Sequence, residues 1–426
     1  MKRYFIGACI MCLFCLQGSG NTHAQEKGKV CKVTDFGAKA NGVDKDTKAI
    51  QSAIDNCAKG GGGLVKLSSG KYLSDPIFLK SKVTLFLDKS AVLLASQNPG
   101  DYQSTTSGAN STVNSRNLLA LVNVINQSDV AIAGKGTIDG AGAPWWNAVR
   151  LAKKAGQPDV VRPRLVVFSH CHRVRVEGIT LMNSPSFHLV PTFSDDVTIK
   201  DVTIKAPANS PNTDGIDPSS SRHVWISHCT IDNGDDNIAI KSGHIDPAHP
   251  DAGSADITIS ECTFLHGHGV SIGSETSGGV RNVIVENCKF LGTQNGLRIK
   301  SLRGQGGNVE NIIYRNIQME GVSPAITFTS YYPKIPKEDT RQAITVKTPV
   351  FHKITVTNLF AKGGKIAGII VGLPEKPLFN IALKNIKIVS QTGFFVKNAT
   401  IKTSNVQISN QRGRAFVLEN QGHITG

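Results

Sequence analysis

Aromatic side chains are scarce in this sequence: they make up 6% of its 426 residues, whereas glycines number 42. Such a composition favours strands and tight turns over a helical core. The chain is longer than most single globular domains, but a repeat fold grows in length without adding domains. The composition therefore indicates one long β-rich domain.

Signatures for metal and phosphate binding are also absent. No Cys-x-x-Cys or His-x-x-x-His spacing accompanies the cysteines, as a zinc site would require. The four glycines from Gly60 to Gly63 are not followed by Lys-Ser or Lys-Thr, and they close a helical stretch instead of opening one. We therefore expect no metal ion and no other cofactor.

The first 24 residues have the form of a secretory signal. Two cations precede an apolar run from Tyr4 to Leu16, and small and polar residues follow as far as Ala24. The apolar run is too short to span a membrane. We expect cleavage after Ala24, a catalytic domain over residues 25–426, and an extracellular or periplasmic location.

Acidic residues are outnumbered, 32 against 47 lysines and arginines, which gives a formal net charge of +15. A basic balance fits nucleic acid, an acidic surface or an acidic polysaccharide. Export argues against nucleic acid, and no amphipathic basic helix suggests membrane binding. An anionic extracellular polysaccharide is the expected partner, and we expect the protein to be a monomer.

Six cysteines remain after the signal, and fifteen pairings of six are possible. Cys31 and Cys57 flank one local unit and are the best candidates for a disulfide. Cys229, Cys262 and Cys288 hold the same place in three similar phrases. That recurrence indicates a stacked column of small buried hydrophobic groups, not metal ligands.

A short amphipathic helix is predicted to start at Asp46. Ala49, Ile50, Ala53, Ile54 and Cys57 fall on one stripe of it. One such helix followed by strands is typical of the end cap of a stacked repeat.

A strand phrase with alternating aliphatic residues recurs along the rest of the chain. Its first aliphatic residues are Val130, Val174, Val197, Val224, Ile257, Val283, Ile312, Ile354 and Ile381. Successive phrases are mostly between twenty and thirty residues apart, and some intervals are longer. Such intervals suit coils that stack about 4.8 Å apart, with the additional residues forming loops. A β-sandwich or propeller would show shorter or more constant spacing. We therefore predict an all-β fold, a single-domain right-handed parallel β-helix with a short N-terminal capping helix.

The stretch from Asn212 to Ser242 concentrates carboxylates against the basic trend of the chain. Its acidic residues of interest are Asp214, Asp217, Asp235 and Asp236. Crowded carboxylates raise each other's proton affinity, and glycoside hydrolysis needs a carboxylic acid and a carboxylate together. A solvated acidic turn is the simpler interpretation, and for Asp217 a turn position before Pro218 competes with a place in the groove.

Stacking brings residues about one coil apart into contact. The spacing puts Asp214, then Asp235 with Asp236, then His268, then Arg298 with Lys300 on successive coils. Because side chains alternate along a strand, the two cations of Arg298-Ile299-Lys300 share one face. These residues are therefore predicted to line one groove.

The same residues carry a resemblance to a known family. The sequence resembles the polygalacturonases of glycoside hydrolase family 28. The resemblance is carried by the segments Asn212-Thr213-Asp214, Gly234-Asp235-Asp236, Gly267-His268-Gly269 and Arg298-Ile299-Lys300. Within the family, the sequence looks most similar to the bacterial secreted endopolygalacturonases. The resemblance extends from Asp35-Phe36-Gly37-Ala38 to beyond Tyr332 and covers nearly the whole mature chain. It implies a right-handed parallel β-helix, single displacement with inversion, and no metal.

The resemblance also implies roles for single residues. Asp235 would be the general acid, and Asp214 with Asp236 would position and deprotonate the water. His268 would tune the acid, and Arg298 and Lys300 would grip galacturonate carboxylates. Tyr332, Asn212 and His188 are further expected substrate contacts. The adjacent Tyr331 is an alternative to Tyr332, and a structural role is an alternative for His188.

The expected activity is hydrolysis of α-1,4-galacturonosyl linkages in pectin, with cleavage inside the chain. Exo-cleavage and a rhamnogalacturonan hydrolase are alternatives within the same fold. A calcium-dependent pectate lyase and a non-catalytic polysaccharide-binding solenoid are alternatives of a different class.

Overall fold

The structure is a computed structural model and describes residues 29–103, 118–243, 245 and 249–426. The chain winds as a right-handed parallel β-helix, so the predicted fold class is confirmed. The signal predicted at residues 1–24 lies outside the described residues. In the described part, neither helix has the length and apolarity needed to cross a bilayer.

Three stacked sheets run along the solenoid. Strands of sheet 1 recur once in every coil and pair only in parallel. They are β1 Lys29–Lys32, β3 Gly63–Leu67, β6 Val83–Leu87, β9 Ser128–Gly134, β12 His172–Glu177, β15 Asp195–Lys200, β17 Arg222–Ser227, β20 Ser254–Ser260, β23 Val280–Glu286, β26 Asn308–Glu320, β28 Val350–Val371, β29 Leu378–Lys397, β30 Ala399–Glu419 and β31 His423–Thr425.

Sheet 2 is built from short strands that follow the turn after sheet 1, and in the last coils the long strands β26, β28, β29 and β30 continue into it. Its strands are β2 Asn41–Lys45, β4 Gly70–Ser74, β7 Ala91–Ala95, β10 Thr137–Asp139, β13 Thr180–Met182, β16 Thr203–Lys205, β18 Thr230–Asp232, β21 Thr263–Phe264 and β24 Lys289–Leu291.

Sheet 3 forms the floor of the groove that carries the acidic stretch. Its strands are β5 Ile77–Leu79, β8 Val122–Ile125, β11 Val166–Ser169, β14 Leu189–Thr192, β19 Ile238–Ser242, β22 Val270–Thr276, β25 Leu297–Lys300 and β27 Ile326–Thr329. The coil between β14 and β19 joins the sheet through single bridges at Ile216 and Ser219.

The predicted repeat coincides with the observed register. Each first aliphatic residue of the phrase, from Val130 to Ile381, pairs with the corresponding residue of the next coil. These residues are buried and belong to one continuous core. Burial of aliphatic side chains at about 25 cal/mol per Å² therefore acts along the whole solenoid.

An asparagine ladder marks one turn of the later coils. Its members are Asn287, Asn316, Asn358, Asn385 and Asn405, and all have φ between 52° and 57°. Asparagine accepts this left-handed backbone more readily than most residues do. From Asn316 onward, each amide nitrogen donates to the side-chain oxygen of the asparagine on the preceding coil at 3.0–3.1 Å.

The predicted capping helix is α1, Thr47–Lys59, and the five predicted stripe residues are its buried ones. The Asp46 backbone oxygen accepts from Ile50, which starts the helix. The Asp46 carboxylate instead accepts from the backbone of Lys39 and Ala40 at 2.7 and 3.0 Å. Asp46 thus joins the helix start to the loop before it.

The cysteines follow the two predictions made for them. Cys31 and Cys57 form a disulfide between β1 and α1, with Cα atoms 6.2 Å apart. Cys229, Cys262 and Cys288 are free and buried, and each stacks in the turn that follows its sheet 1 strand. The disulfide therefore fastens the cap to the first coil, and the three thiols pack as core groups.

A second helix, α2 Ala143–Lys154, was not predicted. It buries Trp145 and Trp146, and the indole nitrogen of Trp146 donates to the Ser184 carbonyl at 3.0 Å. Both tryptophans therefore lie on the buried side of α2 and do not offer an exposed ring to a sugar.

Candidate active site

Alternation along sheet 3 selects the side chains that face the groove. Ala239, Ser271 and Arg298 occupy one row on consecutive strands, because Ile238 and Ile240 and their counterparts point into the core. Lys300 projects from the same strand as Arg298, two residues further on. The predicted cationic face beside Ile299 is therefore present.

Asp236 is held by two cations and a hydroxyl. Lys300 Nζ donates to Oδ2 at 2.8 Å, Arg298 Nη2 contacts Oδ1, and Ser271 Oγ donates to Oδ1 at 2.9 Å. Burial alone would raise the pKa of Asp236, but the charges of Arg298 and Lys300 outweigh it and hold the pKa below its ordinary value. Asp236 is therefore a carboxylate.

Asp235 is the more accessible of the two adjacent acids. Its Oδ1 accepts from the backbone nitrogen of Asp236 at 2.9 Å and lies 3.0 Å from Nδ1 of His268. Its Oδ2 has only a long contact, 3.4 Å from the side-chain nitrogen of Asn212. A proton on Asp235 is therefore best placed on Oδ2.

Arg162 fixes the orientation of Asn212. Its Nη2 donates to Oδ1 of Asn212 at 2.8 Å, while its Nη1 donates to the carbonyls of Pro185 and Pro211 at 2.9 and 2.7 Å. With its amide oxygen engaged, Asn212 must direct its amide nitrogen toward Asp235. Asn212 thus lies at the site, as predicted, and touches the acid.

Asp214 and Asp217 are buried beside this pair. Burial raises the pKa of Asp214, and the negative charges of Asp217 and Asp235 add to the shift. Burial also raises the pKa of Asp217, to about 7, although Lys241 opposes the change from 3.9 Å away. Oδ1 of Asp214 and both oxygens of Asp217 have no hydrogen-bond partner in the described residues. At least one of these acids therefore holds a proton near neutral pH.

The structure separates the two tyrosines. Tyr332 is 37% exposed, and its ring lies 4.8 Å from Nζ of Lys300. Tyr331 is buried and contacts Asp339 through its hydroxyl. Of the two tyrosines, Tyr332 is therefore the one that lies exposed beside Lys300.

The expectation that His188 contacts substrate is wrong. Its side chain is fully buried, with Nδ1 3.0 Å from the Asp214 carbonyl and the Ser184 backbone nitrogen donating to Nε2 at 3.3 Å. Burial lowers its pKa to about 4. His188 supports the coil that carries Asp214 from beneath.

Three of these residues offer donor atoms close enough to hold a metal ion. Atoms of Asp235, Asp236 and His268 lie within 4.8 Å of one another. Both oxygens of Asp236 already contact Arg298 or Lys300. A metal ion there would have to compete with two fixed positive charges, so the donor set fits a metal poorly.

Several residues at the site were not predicted. They are Arg162, Arg164, Phe187, Lys241, Ser271 and Glu275. Alternation from Ile238 would have placed Lys241 on the groove face, and Ser271 would follow in the same way from the apolar Ile272 beside it. The arginines precede a strand in a loop, where sequence pattern gives no direction.

Comparison with known proteins agrees with this geometry. The profile of Glycosyl hydrolases family 28 matches residues 78–411. An endo-polygalacturonase of Pectobacterium carotovorum subsp. carotovorum is 34% identical over 372 residues, which span 84% of this chain and 87% of that protein.

Two solved structures share the fold over most of their length. The polygalacturonase from Erwinia carotovora ssp. carotovora has a TM-score of 0.71 at 30% identity and covers 89% of this chain and 94% of its own. A hyperthermoactive exopolygalacturonase from Thermotoga maritima has a TM-score of 0.77 at 27% identity, with 89% and 92% coverage.

Proposed function

Because the chain belongs to glycosyl hydrolases family 28, we propose that it hydrolyses α-1,4-galacturonosyl linkages inside polygalacturonate and pectin, by single displacement with inversion. One observation carries the proposal: Asp235 and Asp236 are adjacent in sequence but lie in opposite environments. Asp236 is held as an anion by Arg298 and Lys300, whereas the contacts of Asp235 within the described residues are to neutral donors and His268. Hydrolysis of a glycoside needs such a difference between its carboxyl groups.

Asp235 acts as the general acid. Oδ1 is occupied by the Asp236 backbone and by His268, so Oδ2 delivers the proton to the glycosidic oxygen. The bond between the anomeric carbon and that oxygen breaks, and the leaving sugar keeps the proton.

Asp236 and Asp214 act on the water. The water attacks the anomeric carbon from the face opposite the leaving group, which inverts its configuration, and gives its proton to a carboxylate. The ionised Asp236 is available at any pH near neutrality, and burial makes Asp214 the stronger base of the two once it is ionised.

Arg298 and Lys300 have two tasks in this proposal. They hold Asp236 in its ionised form, and their remaining donors bind the carboxylate of a galacturonate residue at the cleavage point. The ring of Tyr332 beside Lys300 offers an exposed face to the sugar.

Cleavage inside the polymer is supported by the relatives named endo-polygalacturonase. Exo-cleavage is the second candidate, since a solved exopolygalacturonase shares the fold at 27% identity. Sizes of the early products from polygalacturonate decide between them: a ladder of oligomers means endo-cleavage, and monomer or dimer alone means exo-cleavage.

Hydrolysis is distinguished from elimination by the products. Full activity in EDTA, with new reducing ends and no ultraviolet-absorbing unsaturated sugar, is the expected result. Proton NMR of the first products should show the β-anomer, because inversion converts an α-linkage. An unsaturated product, or a need for calcium, would contradict the proposal and favour a lyase.

We also propose that residues 1–24 direct export, that residues 25–426 form the catalytic domain, and that the mature protein acts as a monomer on extracellular or periplasmic polymer. Sequencing the N-terminus of the exported protein and measuring its mass in solution test these points.

A further inference from the structure

The guanidinium group of Arg164 lies in the groove without a hydrogen bond or ion pair to any described residue. Its Cζ is 5.4 Å from the ring centroid of Phe187. Neighbouring Arg162, in contrast, makes three hydrogen bonds. Arginine carries five donors in a rigid fork that matches a carboxylate. Arg164 therefore has its full donor set free for a ligand.

Lys241 approaches the same ring. Its Nζ is also 5.4 Å from the centroid of Phe187, so the two cations share one small region. The nearest carboxylate oxygens, on Asp217 and Glu275, are 3.9 and 3.7 Å away, longer than a hydrogen bond. The donors of Lys241 are thus attracted by these acids without being bound to them.

The two cations come from different coils and meet at the ring of Phe187. Arg164 immediately precedes Leu165 and strand β11, and it lines a cavity of about 80 Å³ together with Asn123 and Thr192. The residue after Phe187 donates its backbone nitrogen to the Asp214 carbonyl at 2.9 Å. Arg164 and Phe187 therefore lie on coils N-terminal to Asp214, and Lys241 reaches the same ring from β19, in the coil that follows Asp235 and Asp236. Arg298 lies further along the groove, toward the C-terminus.

We propose that Arg164 and Lys241 form a second uronate-binding subsite, which takes a sugar carboxylate on the N-terminal side of the cleavage point. The inference rests on the proposed function, because only an acidic polymer supplies a carboxylate at successive positions. Arg164 binds that carboxylate with paired donors, Lys241 adds a single donor and charge, and the Phe187 ring lies beside both charged groups. The groove then grips its substrate on both sides of the bond it breaks.

A purely internal role is the rival explanation. In it, the two cations only balance the charges of Asp214 and Asp217. The two roles differ in kinetics: loss of a substrate contact raises KM, whereas loss of charge balance changes kcat and its pH profile.

The experiment measures kcat and KM of the full chain on polygalacturonate at fixed ionic strength for Arg164→Gln, Arg164→Lys and Lys241→Gln. Arg175→Gln, an exposed arginine of sheet 1, is the matched control. We expect KM to rise about tenfold or more for Arg164→Gln, since a charge-assisted pair is lost. Arg164→Lys should fall between Arg164→Gln and the wild type, kcat should change less than threefold, and the control should match the wild type.

Binding is tested separately in the inactive Asp235→Asn background. Calorimetry with hexagalacturonate should show about tenfold weaker binding when Arg164→Gln is added, with a thermal midpoint close to that of the parent. This measurement does not depend on turnover and excludes a folding defect.

Three outcomes decide the matter. A KM for Arg164→Gln equal to that of Arg175→Gln, with a wild type that degrades polygalacturonate, overturns the subsite and leaves the proposed function intact. A shifted pH profile of kcat with unchanged KM assigns Arg164 to the acids and also overturns it. A wild type inactive on polygalacturonate overturns both proposals.

Discussion

His268 faces both adjacent acids: its Nδ1 lies 3.0 Å from Oδ1 of Asp235 and 4.0 Å from Oδ1 of Asp236. One imidazole therefore contacts the proposed acid and approaches the proposed base. Proton transfer from Asp235 leaves a new negative charge beside this ring, where the nitrogen of His268 lies within hydrogen-bond distance of it. The two carboxyl groups differ because Asp236 also has two permanent cations and Asp235 has none.

Asp235→Asn removes the transferable proton and keeps the size of the side chain. We expect kcat on polygalacturonate to fall about a hundredfold to ten-thousandfold, as is typical for loss of a general acid. Thermal unfolding and circular dichroism should match the wild type, since Oδ1 contacts can be kept by the amide oxygen. Wild-type turnover by this variant would contradict the role of Asp235.

Lys300→Met removes a cation that holds Asp236 ionised. The pKa of Asp236 should then rise toward its ordinary value, because one of the two charges that lower it is gone. Activity that needs the carboxylate is lost as pH falls through that pKa, so the acidic limb of the kcat profile should move to higher pH. KM should rise as well, since Lys300 also binds substrate. An unchanged acidic limb, measured from pH 3 to 8, would show that Arg298 alone is sufficient.

Asp217→Asn tests the buried acid whose oxygens accept no hydrogen bond from the described residues. Burial raises its pKa to about 7, so the folded state binds a proton that the unfolded state releases above pH 4. The contribution of Asp217 to the free energy of unfolding of the wild type therefore decreases as pH rises from about 4 to 7. The amide cannot ionise, so the melting temperature of the variant relative to wild type should rise by a few degrees between pH 5 and 8. A difference independent of pH would show that Asp217 is already ionised at pH 5.

Arg162→Gln tests the orientation of Asn212. Without the guanidinium, the amide of Asn212 can turn its oxygen toward Asp235, which removes the contact at 3.4 Å. We expect kcat to fall about tenfold with little change in KM, in keeping with a charge-assisted hydrogen bond. Asn212→Ala should lose a similar factor.

A double-mutant cycle shows whether the two residues act together. If Arg162 works through Asn212, the double variant should be no slower than Asn212→Ala alone. Multiplied losses would mean independent roles, and Arg175→Gln again supplies an arginine control outside the groove.

Sequence pattern was sufficient where the chain repeats itself. The first aliphatic residues, from Val130 to Ile381, stack as predicted because period-two alternation and a polar turn residue mark each coil. Asp235, His268 and Arg298 were predicted to meet for the same reason, since stacking turns a step of one coil into contact.

The sequence pattern did not predict the surroundings of side chains that are set by neighbouring coils. His188 was expected at the substrate, yet the Asp214 coil covers it, and nothing in Phe187-His188-Leu189 indicates which side chain is covered. Arg164 and Lys241 are 77 positions apart in a chain with many cations, so only the folded register reveals that they share a ring. Helix α2 lies outside the repeat, in an insertion whose length the repeat does not determine.

The asparagine ladder has a single direction, since in all four of its hydrogen bonds the side-chain nitrogen donates to the preceding coil. Hydrolysis of one such amide, for example at Asn358, would replace its donor with a carboxylate oxygen facing the oxygen of Asn316. Two acceptors cannot share a hydrogen bond, so the repulsion would open that edge of the solenoid between adjacent turns. Slow deamidation of the protein should therefore begin to open the solenoid at this row of amides and spread along it. The groove of sheet 3, which lies elsewhere on the solenoid, would not be changed directly.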